Sequence, residues 1–506
     1  MRRAITLLVA TALAGCSMTP TYERPAAPVP PSWPVGDAYL RQSEAALPAV
    51  TYRDIFRDPR LQRLIETALV NNRDLRIAAA NIAIARAQFR IQRAERFPTV
   101  GASLGASVRR GSSANGVGTG TNPGTGTGTG ATTGSGGGVN DSYSASVGVT
   151  SFEIDLFGRL AALSRAALED YFATEAAARA TRLALVGDIA DAWTTYAADR
   201  SLLQIAERTA RSAETSVRLT RARLQGGIAP RTDLRQAELV LAQANSDLAE
   251  QRSALAQDAN LLRLLIGTDV DSTLLPESIE AVLPTLAELP AGLDSSVLLR
   301  RPDVVQSEYD LRAANARIGA ARAALFPRIS LTGLLGLASG ALGGLFSGDA
   351  FTWSASGGVD YDIFAGGARR AGVDQARATF DRALATYERT IQTAFREVSD
   401  ALARRGTIDD QVRAQTALLA ASRDNYTLSD ARYRGGIDTF LQSLDAQRSL
   451  YSAERSLVGT RLAQAQNLTE LYRTIGGDAL LETTPQGPRP LSPESTATPP
   501  KTGQRR

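Results

Sequence analysis

Histidine is absent from this 506-residue chain, and cysteine occurs once, at Cys16. Without histidine there is no imidazole to serve as a general base or zinc ligand, and a single cysteine closes no disulfide within the chain. Charge of one sign is also lacking: 56 Lys+Arg stand against 52 Asp+Glu, a net of +4, and Arg2 and Arg3 lie in a leader expected to be removed. No basic cluster with interleaved aromatics appears, so nucleic acid is not implied as a partner. Carboxylate-only chemistry is the one catalytic option left open. No nucleophile–base pair or metal set can be assembled to support it, so neither an enzyme nor a cofactor site is expected.

The chain also has no apolar run long enough to cross a bilayer. Arg2-Arg3 and the run Ala4 to Ala14 read as a secretory signal over 1–15, too short to be a transmembrane helix. Leu13-Ala14-Gly15-Cys16 follows, and resembles the bacterial lipobox, in which cleavage precedes the cysteine and the thiol receives a diacylglycerol. A signal cut elsewhere, with an incidental cysteine, is the alternative. Ser17 resembles the outer-membrane sorting class. Several acyl chains, thiol-linked and N-linked, anchor more firmly than one. Thr19 to Pro34 holds six prolines in sixteen residues, an extended strap that continues to residue 57.

What is present is a sequence stated twice. Sliding the chain by 209 positions lays Gly158–Gly267 on Gly367–Gly476 without a gap, matching Asp191 to Asp400, Arg223 to Arg432 and Gly226-Gly227-Ile228 to Gly435-Gly436-Ile437. Upstream, a slip of 229 matches Asp74 to Asp303 and Phe97-Pro98 to Phe326-Pro327. The organisation read from this is a first repeat over 58–267, a linker over 268–296, a second repeat over 297–477 and a Pro-rich disordered tail over 478–506.

Each copy has β-forming segments: after a helical pattern running from Asp58 to Phe97-Pro98, Thr99–Arg110 and Asp141–Phe157 in the first, and Arg328–Ala338 and Ala350–Phe364 in the second. All reach or exceed the ~9–11 residues that a tilted strand needs to cross a bilayer. Four strands do not close a barrel and lipid forbids open edges, so membrane-spanning strands would require several chains to share one barrel; a soluble sheet is the other reading. Between the first two strands, residues 111–138 contain 12 glycines with a Gly-Thr alternation. No Gly-Lys-Ser/Thr follows, which removes a phosphate loop and leaves a flexible, disordered loop at the outer mouth.

From Gly158 to Leu224 there is no proline and one internal glycine, Gly187. Leu203, Ala206, Ala210, Ala213, Val217, Thr220 and Leu224 recur at steps of three and four, answered by Leu234, Ala237, Leu241, Ala244, Leu248, Gln251, Leu255, Asp258, Leu262 and Leu265. This is coiled-coil spacing, and its first meaning is packing. The turns between these helices, Arg223-Leu-Gln-Gly-Gly-Ile228 and Arg432-Tyr-Arg-Gly-Gly-Ile437, place paired glycines where a sharp reversal needs positive φ. A turn presented twice is also a place for a partner to dock.

The chain resembles the TolC-type outer-membrane efflux channels, in their OprM/NodT-like lipoprotein branch. The resemblance is carried by Leu289-Pro-Ala-Gly-Leu293 with Leu298-Leu-Arg-Arg-Pro-Asp303, by Asp58-Pro59 and Asn71-Asn72-Arg73-Asp74, by Asp155-Leu-Phe-Gly158 and Asp362-Ile-Phe364-Ala-Gly-Gly367, and by Arg432-Tyr-Arg-Gly-Gly436 with Leu444-Asp-Ala-Gln447. It implies a mostly α fold with a membrane β-barrel: a homotrimer giving four strands per chain to one twelve-stranded barrel, continued by a long periplasmic α-helical barrel. An equatorial belt would come from Asp58 to about Arg93, from Thr268 to Ala321, and from the chain after Gly476. The implied function is a passive exit duct in the Gram-negative outer membrane, fed by a periplasmic adaptor (membrane fusion protein) and an inner-membrane pump of RND type, and carrying small molecules such as drugs. An exit for type I protein secretion, and a pore-less lipid-anchored periplasmic scaffold, are the alternatives. Adaptor docking falls on Arg223, Gly226, Gly227, Arg432, Gly435 and Gly436. For the closed periplasmic gate, Asp445 matches the acidic-ring position, while Gln442 replaces a neighbouring acidic position of some relatives. Asp430, Tyr433 and Asp438 lie near enough in sequence to join the constriction; Asp430 and Asp438 read equally well as helix-end caps. A ring of carboxylates in a narrow lumen favours cations.

Replacing Cys16 with Ser is expected to abolish incorporation of radiolabelled fatty acid and spare assembly; a Cys16→Ser protein that still takes up label would refute lipidation.

Overall fold

The computed structural model describes residues 17–34, 51–110, 139–287 and 295–491. The expectations placed on the leader and Cys16, on the glycine loop 111–138, on Leu289–Leu293 and on the last fifteen residues lie outside that range. The described residues form two compact units: 17–21, 88–110, 139–167 and 314–379 in one, 22–34, 51–87, 168–287, 295–313 and 380–491 in the other.

The first unit is built on a four-stranded antiparallel sheet in the order β1 (Val100–Arg110), β2 (Val139–Ile154), β3 (Arg328–Ser339), β4 (Phe351–Asp360). The register places Val100, Ala102, Leu104 and Ala106 across from Val149, Val147, Ala145 and Tyr143, and these in turn beside Gly333, Leu335, Leu337 and Ser339. Leu335 and Leu337 pair with Trp353 and Phe351. One face is therefore apolar across all four strands, and it is bare: Leu104 is 87% exposed and Trp353 71%. The opposite face carries serine, threonine and glycine, with the Ser103 and Ser146 hydroxyls 2.8 Å apart and those of Ser107 and Ser142 2.9 Å apart. Alternation of this kind is the dyad pattern of a strand with lipid on one side and water on the other.

A bulge in β2 keeps that pattern intact. Register shifts between Val149 and Phe152, where Ser151 adopts a φ of 56°. One inserted residue turns Phe152 and Ile154 onto the face of Val147 and Val149, opposite Leu331 and Ile329. The strands end sooner than expected, at Ile154 and Asp360 rather than Phe157 and Phe364. Side chains at and just past the end of β2 hold the strand-to-helix passage: Glu153 receives two bonds from Arg159 at 2.8 and 2.7 Å, and Asp155 accepts the Ala161 amide at 2.8 Å.

In the second unit, helix α1 (Pro59–Asn71) starts from an Asp58 cap that accepts the Arg60 amide, with proline at the first helical position. Helices α2 (Arg73–Ala94), α3 (Arg159–Gln225), α5 (Pro302–Ala323) and α6 (Ala368–Arg434) have residues in both units, and two long hairpins form: α3 with α4 (Arg231–Ile266), and α6 with α7 (Phe440–Thr474). Helices α3 and α6 both run for 67 residues, about 100 Å at 1.5 Å per residue. No described helix is apolar and long enough to cross a membrane. The α3 stripe from Leu203 through Thr220 is buried, as are Ala237, Ala244 and Leu262 of α4. Gly187, the interior glycine of α3, lies under Arg473; an added Cβ would come within 2.4 Å of that side chain. Arg473 in turn pairs with Asp188 at 3.1 Å and Asp191 at 3.3 Å.

Several apolar clusters of described residues hold this unit. Trp193 and Ile189 of α3 pack with Leu61 and Ile65 of α1, Leu262 and Ile266 of α4, and Tyr472 of α7; the Trp193 indole donates to the Leu274 carbonyl at 3.0 Å. A second core around Leu298, Leu311, Tyr387 and Val398 receives Tyr22, Val29 and Trp33 of the strap. Trp33 stacks on Phe395 with ring centroids 4.9 Å apart. Arg24 bonds Glu308, which is fully buried and also paired to Arg312 at 2.9 Å. Over residues 22–33 the strap is thus extended and fastened to the body. Its distal end also contains a helical turn, Tyr52–Ile55, set by a capping box between Thr51 and Asp54.

The disorder expected from 478 onward does not hold over the described residues 478–491. Leu481–Thr484 and Gly487–Pro490 form a hairpin, β5 and β6, seated by Tyr309, whose hydroxyl donates to the Thr484 carbonyl at 3.0 Å. Gly487, at a φ of 118°, lies against the Phe172 ring. Proline composition suggested disorder, but Pro488 and Pro490 sit on a two-stranded edge that needs few of their missing donors.

Asp258, in the stripe of α4, meets Asp199 of α3, and among the described residues neither is paired with an arginine. Burial, then the neighbouring carboxyl, pushes Asp258 up to about 7, with Asp199 also raised. A raised folded-state value means that the protonated form favours the fold; this contribution is full below about pH 4 and fades as pH rises through about 7. Asp258→Asn is expected to flatten the fall in thermal midpoint between pH 5 and pH 8 and to raise the midpoint at pH 8 by about 1–3 °C; an unchanged pH slope would exclude a shared proton.

Candidate functional site: the paired hairpin tips

The two turns have the same backbone. Gly226 and Gly435 donate to Ala222 and Ala431 at 2.9 Å, Gly227 and Gly436 to Leu224 and Tyr433 at 3.0 Å, and Ile228 and Ile437 to Arg223 and Arg432 at 3.0 and 2.9 Å. Gly227 and Gly436 both take a φ of +75° with open space around them. Their glycine is required by conformation, since a side chain there meets no neighbour. Ile228 and Ile437 are exposed at the turns.

Side chains make the two turns different. Arg432 forks onto Asp438 at 2.5 and 3.0 Å, and that hydrogen-bonded guanidinium holds the Asp438 carboxyl below its ordinary value. Asp430 pairs with Arg434 at 2.9 Å. Arg223, the position matched to Arg432, has no such carboxylate. It lies over the Tyr433 ring at 4.5 Å and donates to the Tyr433 and Arg434 carbonyls at 3.3 and 3.1 Å, so it joins the first hairpin to the second. Beneath it a small apolar cluster of Val217, Leu234, Ala237, Tyr433, Phe440 and Leu444 knits the hairpins together.

The structure therefore brings together Arg223, Tyr433 and Asp430, which line one cavity between the hairpins, and separately joins Arg432 to Asp438. Asp445 does not join them: it lies on α7, its side chain 63% exposed, 3.6 Å from Arg448. Sequence reasoning did not single out Arg211, Tyr426, Arg434, Phe440 and Ser443, which complete the cavity lining. A signal for two residues of this cavity lay in the comparison of the copies: Tyr433 and Phe440 replace Leu224 and Arg231 at the same offset, and an aromatic gained in one copy marks where the copies meet different neighbours.

The family model for "Outer membrane efflux protein" matches residues 64–268 and 293–477. The chain belongs to the outer membrane efflux protein family. It is 43% identical over 481 residues to the "Probable efflux pump outer membrane protein TtgC" of Pseudomonas putida, covering 94% of this chain and 96% of the relative. It is 39% identical over 471 residues to the "Outer membrane protein OprJ" of Pseudomonas aeruginosa, covering 93% and 95%. Among solved structures, a membrane protein from Pseudomonas aeruginosa superposes with a TM-score of 0.80 at 38% identity, over 91% of this chain and all of that one. The open state of the Neisseria gonorrhoeae MtrE outer membrane channel gives 0.76 at 34% identity, over 91% and 98%. An efflux channel of this family is a transporter of the outer membrane, the exit duct of tripartite efflux, as the resemblance implied. Its fold is the TolC-like one.

Proposed function

We propose that this chain closes its duct as a homotrimer, anchored by lipid on Cys16 and docked through its glycine tips to a periplasmic adaptor served by an RND-type inner-membrane pump. The observation that carries the reading is the sheet: an apolar face continuous over four strands, with β1 and β4 left as edges. Lipid does not tolerate unpaired backbone groups, so β1 of one copy must pair with β4 of the next. Two copies would give eight strands, a number whose interior side chains fill; three give twelve, leaving a lumen lined by the serine and glycine face.

The TtgC protein of another Pseudomonas putida strain is named for toluene efflux, and the ArpC protein for antibiotic efflux. Small apolar molecules delivered by the pump are accordingly the cargo proposed here. The tips' charges fit docking and gating: Arg223 holds the two hairpins together, and Asp430, Tyr433, Asp438 and Asp445 are the gate candidates that a partner would disturb.

A β-branched residue at a φ of +75° costs about 1–2 kcal/mol, reshaping the tip without touching the sheet. Gly227→Val and Gly436→Val are therefore expected to lower efflux of a fluorescent substrate severalfold with unheated trimer bands at wild-type strength. Normal efflux in both would remove the tips from docking, and a protein that forms no conductance in planar bilayers would overturn the duct.

A further inference from the structure

The cavity between the hairpin tips has a volume of about 640 Å³ and is lined by Arg211, Ser212, Arg223, Tyr426, Tyr433 and Ser443 among others. Its cations are not matched by anions. Arg434 is committed to Asp430, the one carboxylate in the lining. Arg211 has no acceptor for its guanidinium among the described residues, and Arg223 donates only to neutral carbonyls at 3.3 and 3.1 Å. Two guanidinium groups at one cavity, Arg211 and Arg223, neither answered by a carboxylate among the described residues, describe a receptor for an oxyanion.

The surroundings say which side of the tip recruits it. Over 218–238 five arginines stand against Asp233 and Glu238; over the matched stretch 427–447 two arginines stand against Asp430, Asp438 and Asp445. The backbones superimpose in hydrogen-bond pattern, yet the first tip attracts anions and the second does not. Lys501 is the chain's sole lysine, so each cation here is a planar fork suited to a carboxylate.

We propose that this cavity receives an aspartate or glutamate side chain from the protein that docks at the tips, and that this carboxylate draws Arg223 off the Tyr433 and Arg434 carbonyls. The inference rests on the reading of the tips as docking elements, and adds the chemical group the partner must present. A charge-assisted bond is roughly twice as strong as a neutral one, so a carboxylate displaces two carbonyls held at long range. Losing those carbonyl bonds and the stacking over Tyr433 releases the first hairpin from the end of α6, so that docking and loosening of the closed tips become one event.

The test uses the full-length protein in lipid nanodiscs, with acetyl-Ala-Glu-Ala-amide as the probe and its Gln counterpart as control, titrated by calorimetry at low and high salt. The Glu peptide is expected to bind about tenfold more tightly than the Gln peptide at low salt, with the preference fading at high salt and vanishing in both Arg211→Gln and Arg223→Gln. Equal binding of the two peptides, or a preference that survives both substitutions, overturns the site. Arg211→Glu supplies the carboxylate in place; its channels are expected to conduct severalfold more than those of Arg211→Gln, and equal conductance overturns the release of Arg223. The valine variants at Gly227 and Gly436 separate the two readings: lost efflux in them with no peptide preference keeps docking and discards the cavity. Normal efflux in them with a clear peptide preference discards docking, and with it the partner as source.

Discussion

Backbone hydrogen bonding at the outer edges of β1 and β4 is the constraint from which the architecture follows. Each edge presents amide and carbonyl groups that water can satisfy and hydrocarbon cannot. A sheet with an apolar face over all its strands belongs in hydrocarbon, so the edges must be closed by another copy. The bulge at Ser151 serves the same requirement, because without the inserted residue Phe152 and Ile154 would turn into the serine face. Once strands are shared between chains, the helices that follow each strand pair are brought round a common axis, and the coiled-coil stripes have neighbours to pack on.

The duplication supplies two nearly identical hairpins and then departs from identity where it matters. Gly226-Gly227 and Gly435-Gly436 keep one turn geometry, atom for atom in their hydrogen bonds. Around them, Arg432 has acquired an aspartate, Arg223 an aromatic face and two carbonyls. In the trimer proposed above, a chain with two-fold internal repetition would present six turns of two kinds, so a partner ring would meet alternating chemistry. Selectivity for a partner can then reside in one kind of turn while the other provides shape alone.

Features that depend on local periodicity were legible beforehand. Steps of three and four from Leu203 to Thr220 predicted the buried stripe, absence of proline predicted a 67-residue helix, and paired glycines predicted the turns. Motifs such as Asp155-Leu-Phe-Gly158 marked the passages from strand to helix. What could not be read depended on contacts distant in sequence. Arg24 meets Glu308 across 284 positions, Tyr309 meets Thr484 across 175, and Arg223 meets Tyr433 across 210. Proline content made 481–490 look disordered because nothing local announces that Tyr309 and Phe172 offer it a seat. Nothing local accounts for Gly187, the one glycine inside a long helix; the crossing Arg473 explains it.

The strap has a consequence for height. Asn315 holds the Pro20 carbonyl at 2.8 Å, and four residue steps carry the chain from Cys16 to Pro20. A fully stretched tetrapeptide reaches no more than about 14 Å. Acyl chains on Cys16 would therefore pin this point of α5 to the inner leaflet like a short mooring line, and lengthening those four residues would let the duct ride up or down in its membrane.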